Sequence, residues 1–180
     1  VLLHAARRLL EAAGVGDALE RRGAVYVLNT REVRLDALEF EALARGMLRV
    51  QPDAIDAAVL ERALNMYGGD FGASEHFGEW AEAEVQRFRR LYHELLRRAA
   101  QYYAGHGAIE RSVACCEQAI RSDPLQEQFQ VALITYYGRL GRREDALRQY
   151  EDYRRILASE VGTAPQAALV ALRDALEGRA

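Results

Sequence analysis

Two stretches of the chain, Tyr102-Tyr103-Ala104-Gly105-His106-Gly107 and Tyr136-Tyr137-Gly138-Arg139-Leu140-Gly141, match with a shift of 34 residues at both tyrosines and at the final glycine. The same shift lays Val113 on Leu147 and Cys116 on Tyr150. Each stretch lies where one segment of helical apolar periodicity hands over to the next. A long helix is expected over about 79–104, carrying Trp80, Val85, Phe88, Leu91, Leu95 and Leu96, and another over 108–121. A third ends near Gly141 and a fourth runs over about 144–160, stopping at Gly162. A helix–glycine turn–helix unit of this length cannot bury its apolar face alone, so consecutive units must stack.

The period and the content are those of tetratricopeptide (TPR) hairpins. In the first unit the helix A aromatic is Tyr103, the turn residue Gly107, the helix B knob Cys116, the small residue Ala119 and the terminal proline Pro124. The second unit supplies Tyr137, Gly141 and Tyr150, with Ala146 opposite Ser112, but sets Tyr153 where a small residue is expected. Leu96 and Gln130 fill a position usually held by tryptophan, so the hairpins are TPR-like rather than regular. Upstream, 36–50 and 55–67 read as an earlier, degenerate hairpin, separated from the Trp80 helix by the irregular stretch 68–78. Three helix starts carry capping signals: Asp36-x-x-Glu39, Asp123-Pro124-x-Gln126 and Thr163-x-Pro165-Gln166. Pro52-Asp53 ends one helix and begins the next. The expected fold is mainly α, a right-handed superhelix of about three TPR-like stacked helical hairpins closed by a terminal helix.

The N-terminal text is different. Residues 1–13 read as a helix with Leu2, Leu3, Ala6, Leu9 and Leu10 on one side, stopped by Gly14 and Gly16. Gly23-Ala24-Val25-Tyr26-Val27-Leu28 is β-rich, Asn29-Thr30 offers a turn, and Val33-Arg34-Leu35 is expected to return as a second strand. A short N-terminal β-hairpin therefore precedes the helices.

Composition limits function. With 180 residues, 50% apolar and 28% charged, the chain has a globular, soluble composition, and its net charge of −3 argues against a nucleic-acid sleeve. No stretch approaches 18 uncharged apolar residues, so no membrane partner is expected. The opening VLLHAARRLL is too short and too arginine-rich for a signal sequence, and without an initiator methionine the chain reads as a piece of a longer protein. The only cysteines, Cys115 and Cys116, are adjacent, which points to a reducing, cytoplasmic setting. Cys116 falls at a core position, so a buried structural thiol is expected. All 24 basic residues are arginine, a bias that GC-rich coding explains without any mechanism.

Chemistry-bearing motifs are scarce. His4, His76, His93 and His106 show no metal-ligand spacing, and His76 with Asp70, Glu75 and Glu79 reads as a solvated loop group. There is no G-x-S-x-G, no P-loop and no dinucleotide fingerprint. No catalytic residue, cofactor or metal is expected, and an enzyme is the least favoured class. Tyr103 and Tyr137 fit repeat core positions, which turns Tyr102 and Tyr136 toward a concave groove of the kind such stacks present to a peptide or helix. Arg139, Arg142 and Arg143, at the turn of the last hairpin, complete that candidate partner groove.

The ordered positions carry a family resemblance. Tyr26-Val27-Leu28 is followed by Asp36-x-x-x-Phe40-Glu41-x-Leu43, Ala63-Leu64-x-x-Tyr67-x-Gly69 and Trp80. Asp123-Pro124-Leu125-x-Glu127, Leu140-Gly141, Glu144-x-Ala146-Leu147-x-x-Tyr150, Arg154, Leu157 and Gly162-x-x-Pro165 come next. Over about 36–177 the chain resembles the bacterial transcriptional activator domain (BTAD), the TPR-like domain of SARP-type regulators. That resemblance implies a domain at 36–180 that activates transcription through protein contacts, with itself as a homodimer or with RNA polymerase. It also implies that 1–35 is the end of an OmpR-type winged helix, with Arg7-Arg8-Leu9 in the tail of its recognition helix and 21–26 in its wing. Arg7, Arg8, Arg21 and Arg22 would then contact DNA phosphates, with promoter DNA bound only by the intact parent protein. The competing readings are a generic TPR scaffold for a peptide and an effector-sensing domain of a signalling protein.

Overall fold

The computed structural model describes residues 2–31, 33–69 and 79–178, and the chain divides into two compact units, 1–42 and 43–180. In the first, helix α1 (Leu2–Ala12) ends at Gly14, whose φ of +75° lets the chain reverse without a Cβ penalty. A short 3₁₀ turn (Gly16–Ala18) leads into an antiparallel hairpin of β1 (Leu19–Arg22) and β2 (Val25–Leu28).

The hairpin corrects the expected strand pairing. Its turn is Gly23-Ala24, with Leu19 opposite Leu28 and Arg22 opposite Val25. The partner strand thus precedes the β-rich run, and Val33-Arg34-Leu35 forms no strand. The physical reason is Gly23, at φ +65°: a two-residue turn with a positive φ at its first position matches strand twist, and only glycine supplies it without strain. Asn29, expected to turn the chain, instead lengthens the pairing. Its N–H donates to the Ala18 carbonyl at 2.6 Å and its side-chain amide donates to Glu20 at 2.9 Å.

Helix α2 (Asp36–Arg49) begins one residue earlier than the expected cap allows. Asp36 is already helical, the Glu39 N–H donates to Leu35 O, and the Glu39 carboxylate accepts from Arg34 at 2.5 Å. After it, Pro52–Ala54 makes a single 3₁₀ turn, and α3 (Ala57–Met66) starts at Asp56, whose carboxylate accepts from the N–H groups of Ala58 and Val59. The other two proline junctions show the same displacement. Asp123 caps only a turn, accepting from Leu125 N, and α6 (Glu127–Arg139) starts after Gln126. Helix α8 (Ala167–Glu177) starts after Gln166 with no side-chain cap. In each case the residue read as a cap closes a turn, or leaves the chain extended, before the helix begins. A proline at such a junction biases the preceding residue away from helical geometry.

The remaining helices are α4 (Glu79–Gly105), α5 (Ile109–Ser122) and α7 (Arg143–Ile156), which ends in a π-helical turn, Leu157–Val161. Helix α4 packs on α5, α5 on α6, α6 on α7, and α8 lies against α6 and α7. This is a mainly α, TPR-like stack. Its core is continuous through Leu60, Leu95, Leu96, Phe129, Leu133, Ile134 and Leu169, all at most 1% exposed. Complete burial of one such side chain is worth about 1.5–3 kcal/mol, so packing rather than helix propensity holds the stack. Gly138 belongs to this packing: a Cβ there would stand 3.4 Å from Leu176 of α8.

Candidate interaction surface

The repeat places one tyrosine at each hairpin junction. Tyr103 on α4 reaches back to α3, its hydroxyl donating to Glu61 at 2.6 Å. Tyr137 on α6 reaches back to α5 and donates to Glu117 at 2.8 Å. Each ring is covered by a guanidinium, Arg111 over Tyr103 at 5.2 Å and Arg142 over Tyr137 at 4.6 Å. Arg111 also pairs with Glu61, and Arg142 with Asp145. Burial and the carboxylate beside it push the Tyr137 hydroxyl up to about 12, and the Tyr103 hydroxyl is raised by the same two causes. These phenols are fixed donors that join consecutive hairpins.

The candidate partner groove is only partly assembled. Tyr136 is buried, its hydroxyl 3.4 Å from the Ala100 carbonyl of α4. Its ring is spent on the stack and is not open to a partner. Arg139 is tied to the Ala104 carbonyl at 3.3 Å. Arg142 is engaged as above, while Arg143 is exposed at the start of α7. Tyr102 is half-buried and lies in a different place, a hollow of about 380 Å³ between α4 and the turn before α3. There it stands 4.2 Å from the His106 ring, whose Nδ1 donates to the Tyr102 carbonyl at 2.8 Å. Arg98 lines the same hollow and donates to the carbonyl of Val50. The sequence did not single out Arg98; its position one helical turn before Tyr102 was the available signal.

In the N-terminal unit, Arg7 and Arg21 line one hollow, together with Glu11, Asp17 and Glu20. Arg22 pairs with Glu20 at 2.9 Å, Arg21 donates to the Gly23 carbonyl at 3.1 Å, and Arg8 is exposed. Three carboxylates share the hollow of Arg7 and Arg21.

Other candidates resolve into structure. Both cysteines are buried free thiols, pushed up to about 12 chiefly by burial, which keeps them protonated and unreactive at neutral pH. His93 is buried, contacts the Gln126 side chain and meets the edge of Phe129. Gln130, at the tryptophan-like position, is fully buried and satisfied at both ends: it donates to Pro124 O at 2.9 Å and accepts from Gln149 at 2.7 Å. His4 is exposed; Asp70, Glu75 and His76 lie outside the described residues. Among the described residues no cluster of three or more metal-ligating side chains forms, and no helix is long and apolar enough to cross a membrane.

The helices from α4 onward thus form a stack of TPR-like hairpins, a helical-repeat class. Residues 35–177 match the model of the bacterial transcriptional activator domain, and the chain belongs to that family. It is similar to the regulatory protein AfsR of Streptomyces coelicolor, with 27% identity over 172 residues, 94% of this chain but 17% of that protein. Among solved structures it is similar to EmbR of Mycobacterium tuberculosis, determined in complex with a low-affinity phosphopeptide. The TM-score is 0.73 and the identity 21%, over 96% of this chain and 47% of that one. The chain therefore spans less than half the length of either relative, and at this identity the solved structure speaks for the fold alone.

Proposed function

We propose that this chain is the protein-contact part of a transcription activator, working by recruitment of RNA polymerase or by self-association. The observation that carries the reading is the family match over 35–177 on a stack of TPR-like hairpins whose junction tyrosines and thiols are engaged in packing. Activation by recruitment needs a rigid body with an outward-facing surface, and stacked hairpins supply one. Residues 1–35 are proposed as the end of a winged helix, with β1 and β2 as its wing. Support comes from the helix-then-hairpin order and from Leu9, Val25 and Tyr26, which are 73%, 59% and 40% exposed. Arg8, which is exposed, is then the arginine best disposed to meet phosphate in the parent protein, since Arg22 pairs with Glu20 and Arg7 and Arg21 share a hollow with carboxylates.

The test is retention of purified bacterial RNA polymerase holoenzyme on the immobilised chain against a bare-matrix control. Retention that falls when Tyr102→Ala and Arg143→Glu are combined supports direct recruitment. Absence of retention at micromolar polymerase, with a dimer seen by sedimentation, moves the function to self-association. A second reading, effector sensing, is favoured by the Tyr102–His106–Arg98 hollow, whose aromatic wall and guanidinium suit a small anionic ring compound.

A further inference from the structure

A second hollow lies along the same side of α4, and its chemistry is more one-sided. It has a volume of about 330 Å³ and lies between the C-terminal half of α2 and the N-terminal half of α4. Arg45 and Arg49, four residues apart, line one wall, and Arg87 and Arg90, three apart, line the other. Leu48 and Leu91, both half-buried, line it with them. Arg87 is partly neutralised by Glu84 at 2.7 Å and lies over the Phe88 ring. Arg49 and Arg90 are exposed, and among the described residues neither has a carboxylate within ion-pair distance. Glu94 is the one acidic residue of the lining. In a chain of net charge −3, this gathers four guanidinium groups, of which the exposed Arg49 and Arg90 are left for a partner, with Glu94 in the lining and Glu84 beside Arg87.

We propose that this groove is a docking site for an acidic, leucine-bearing peptide segment of a partner protein. The arginines on facing walls receive carboxylates, and an apolar side chain of the segment inserts between Leu48 and Leu91. The apolar pair selects this occupant over nucleic acid: Leu48 and Leu91 seat an apolar side chain of a peptide and give a phosphate backbone nothing to bind. The proposal rests on the reading of the stack as a protein-contact module and adds the site and the partner's chemistry.

Fluorescence anisotropy with the whole chain tests it. The probe is a fluorescein-labelled peptide, Asp-Asp-Leu-Glu-Glu-Leu-Asp-Asp-Leu-Glu. Two comparison probes are a poly-glutamate peptide of equal charge and a labelled DNA duplex. Arg49→Glu combined with Arg90→Glu is expected to weaken peptide binding about tenfold or more. Arg121→Glu combined with Arg155→Glu has the same net charge, lies elsewhere, and is expected to leave binding nearly unchanged. Poly-glutamate is expected to bind more weakly than the leucine-bearing peptide. The proposal is overturned if both double variants weaken binding equally, if no peptide binding occurs up to about millimolar concentration, or if the duplex competes the peptide off and binds more tightly. Circular dichroism confirms that each variant keeps its helices. If polymerase is still retained by a chain that fails this test, the groove is removed and the recruitment reading stands.

Discussion

The hairpins α4–α5 and α6–α7 share one plan and fill it with different residues. Both present the junction tyrosine, Tyr103 or Tyr137, to a glutamate of the preceding helix, and both turn on a glycine of positive φ, Gly107 or Gly141. On helix B, however, α5 buries Ser112, Cys116 and Ala119, while α7 buries Ala146, Tyr150 and Tyr153. The difference follows from what comes next. Helix α5 is covered by a full hairpin, whose helices approach closely only over small side chains. Helix α7 is followed by the lone helix α8, and two tyrosines supply the apolar area that another hairpin would have brought. Tyr150 is itself met by α8, with the Arg173 guanidinium 5.1 Å from its ring centre. A repeat is thus conserved in its joints and adapted in its filling.

The comparison can be broken first at Tyr153, which is 1% exposed. Tyr153→Ala is expected to cost about 3–5 kcal/mol, read as a lower urea midpoint of the helical circular-dichroism signal. A loss under about 1 kcal/mol would show that α8 does not depend on the large filling. The second effect belongs to the first hairpin alone, which carries the two thiols. An unfolded chain loses thiol protons from about pH 9, whereas folded Cys115 and Cys116 hold theirs up to about 12. Between these values the unfolded state binds fewer protons, so stability must fall as pH rises, by about 1.4 kcal/mol per thiol per pH unit. Urea denaturation at pH 8 and pH 10 measures this, and Cys116→Ala should lessen the fall by about 1 kcal/mol, the rest belonging to Cys115 and to the buried tyrosines, which are raised as well. Third, Ala119→Leu imports a larger filling into the tightly covered hairpin and is expected to cost about 1–3 kcal/mol. A neutral outcome would mean that α5 and α6 have room the structure does not show. The smallest effects sharpen the shared part. Tyr103→Phe and Tyr137→Phe should each cost about 1 kcal/mol and add in the double variant, because the two junctions share no partner. Unequal losses would mean that only one junction holds its neighbours.

Much of this was legible in the residues. The 34-residue shift is a property of text, and it located Tyr103, Gly107, Cys116, Tyr137, Gly141 and Tyr150 correctly as joints and core. Their spacing leaves one way for each helix to bury its apolar face. Helix starts were less legible. Asp36, Pro52-Asp53, Asp123 and Thr163 all carry capping chemistry, but an Asp can equally close a turn ahead of the helix, and local sequence does not choose between the two. The hairpin register was misread for the same kind of reason, since Gly23 and Asn29 both suit turns and only the pairing of Leu19 with Leu28 decides between them.

The sequence by itself determined the class of fold, the repeat and the family, because all three rest on many ordered positions with one periodicity. Tertiary structure alone decided which surfaces remain for a partner. It buried Tyr136 against Ala100, tied Arg139 and Arg142, paired Arg22 with Glu20, and set Arg7 and Arg21 in a hollow with carboxylates. It also gathered Arg45, Arg49, Arg87 and Arg90 from segments some forty residues apart. Burial and charge clustering are sums over residues distant in the chain, so no local pattern can carry them.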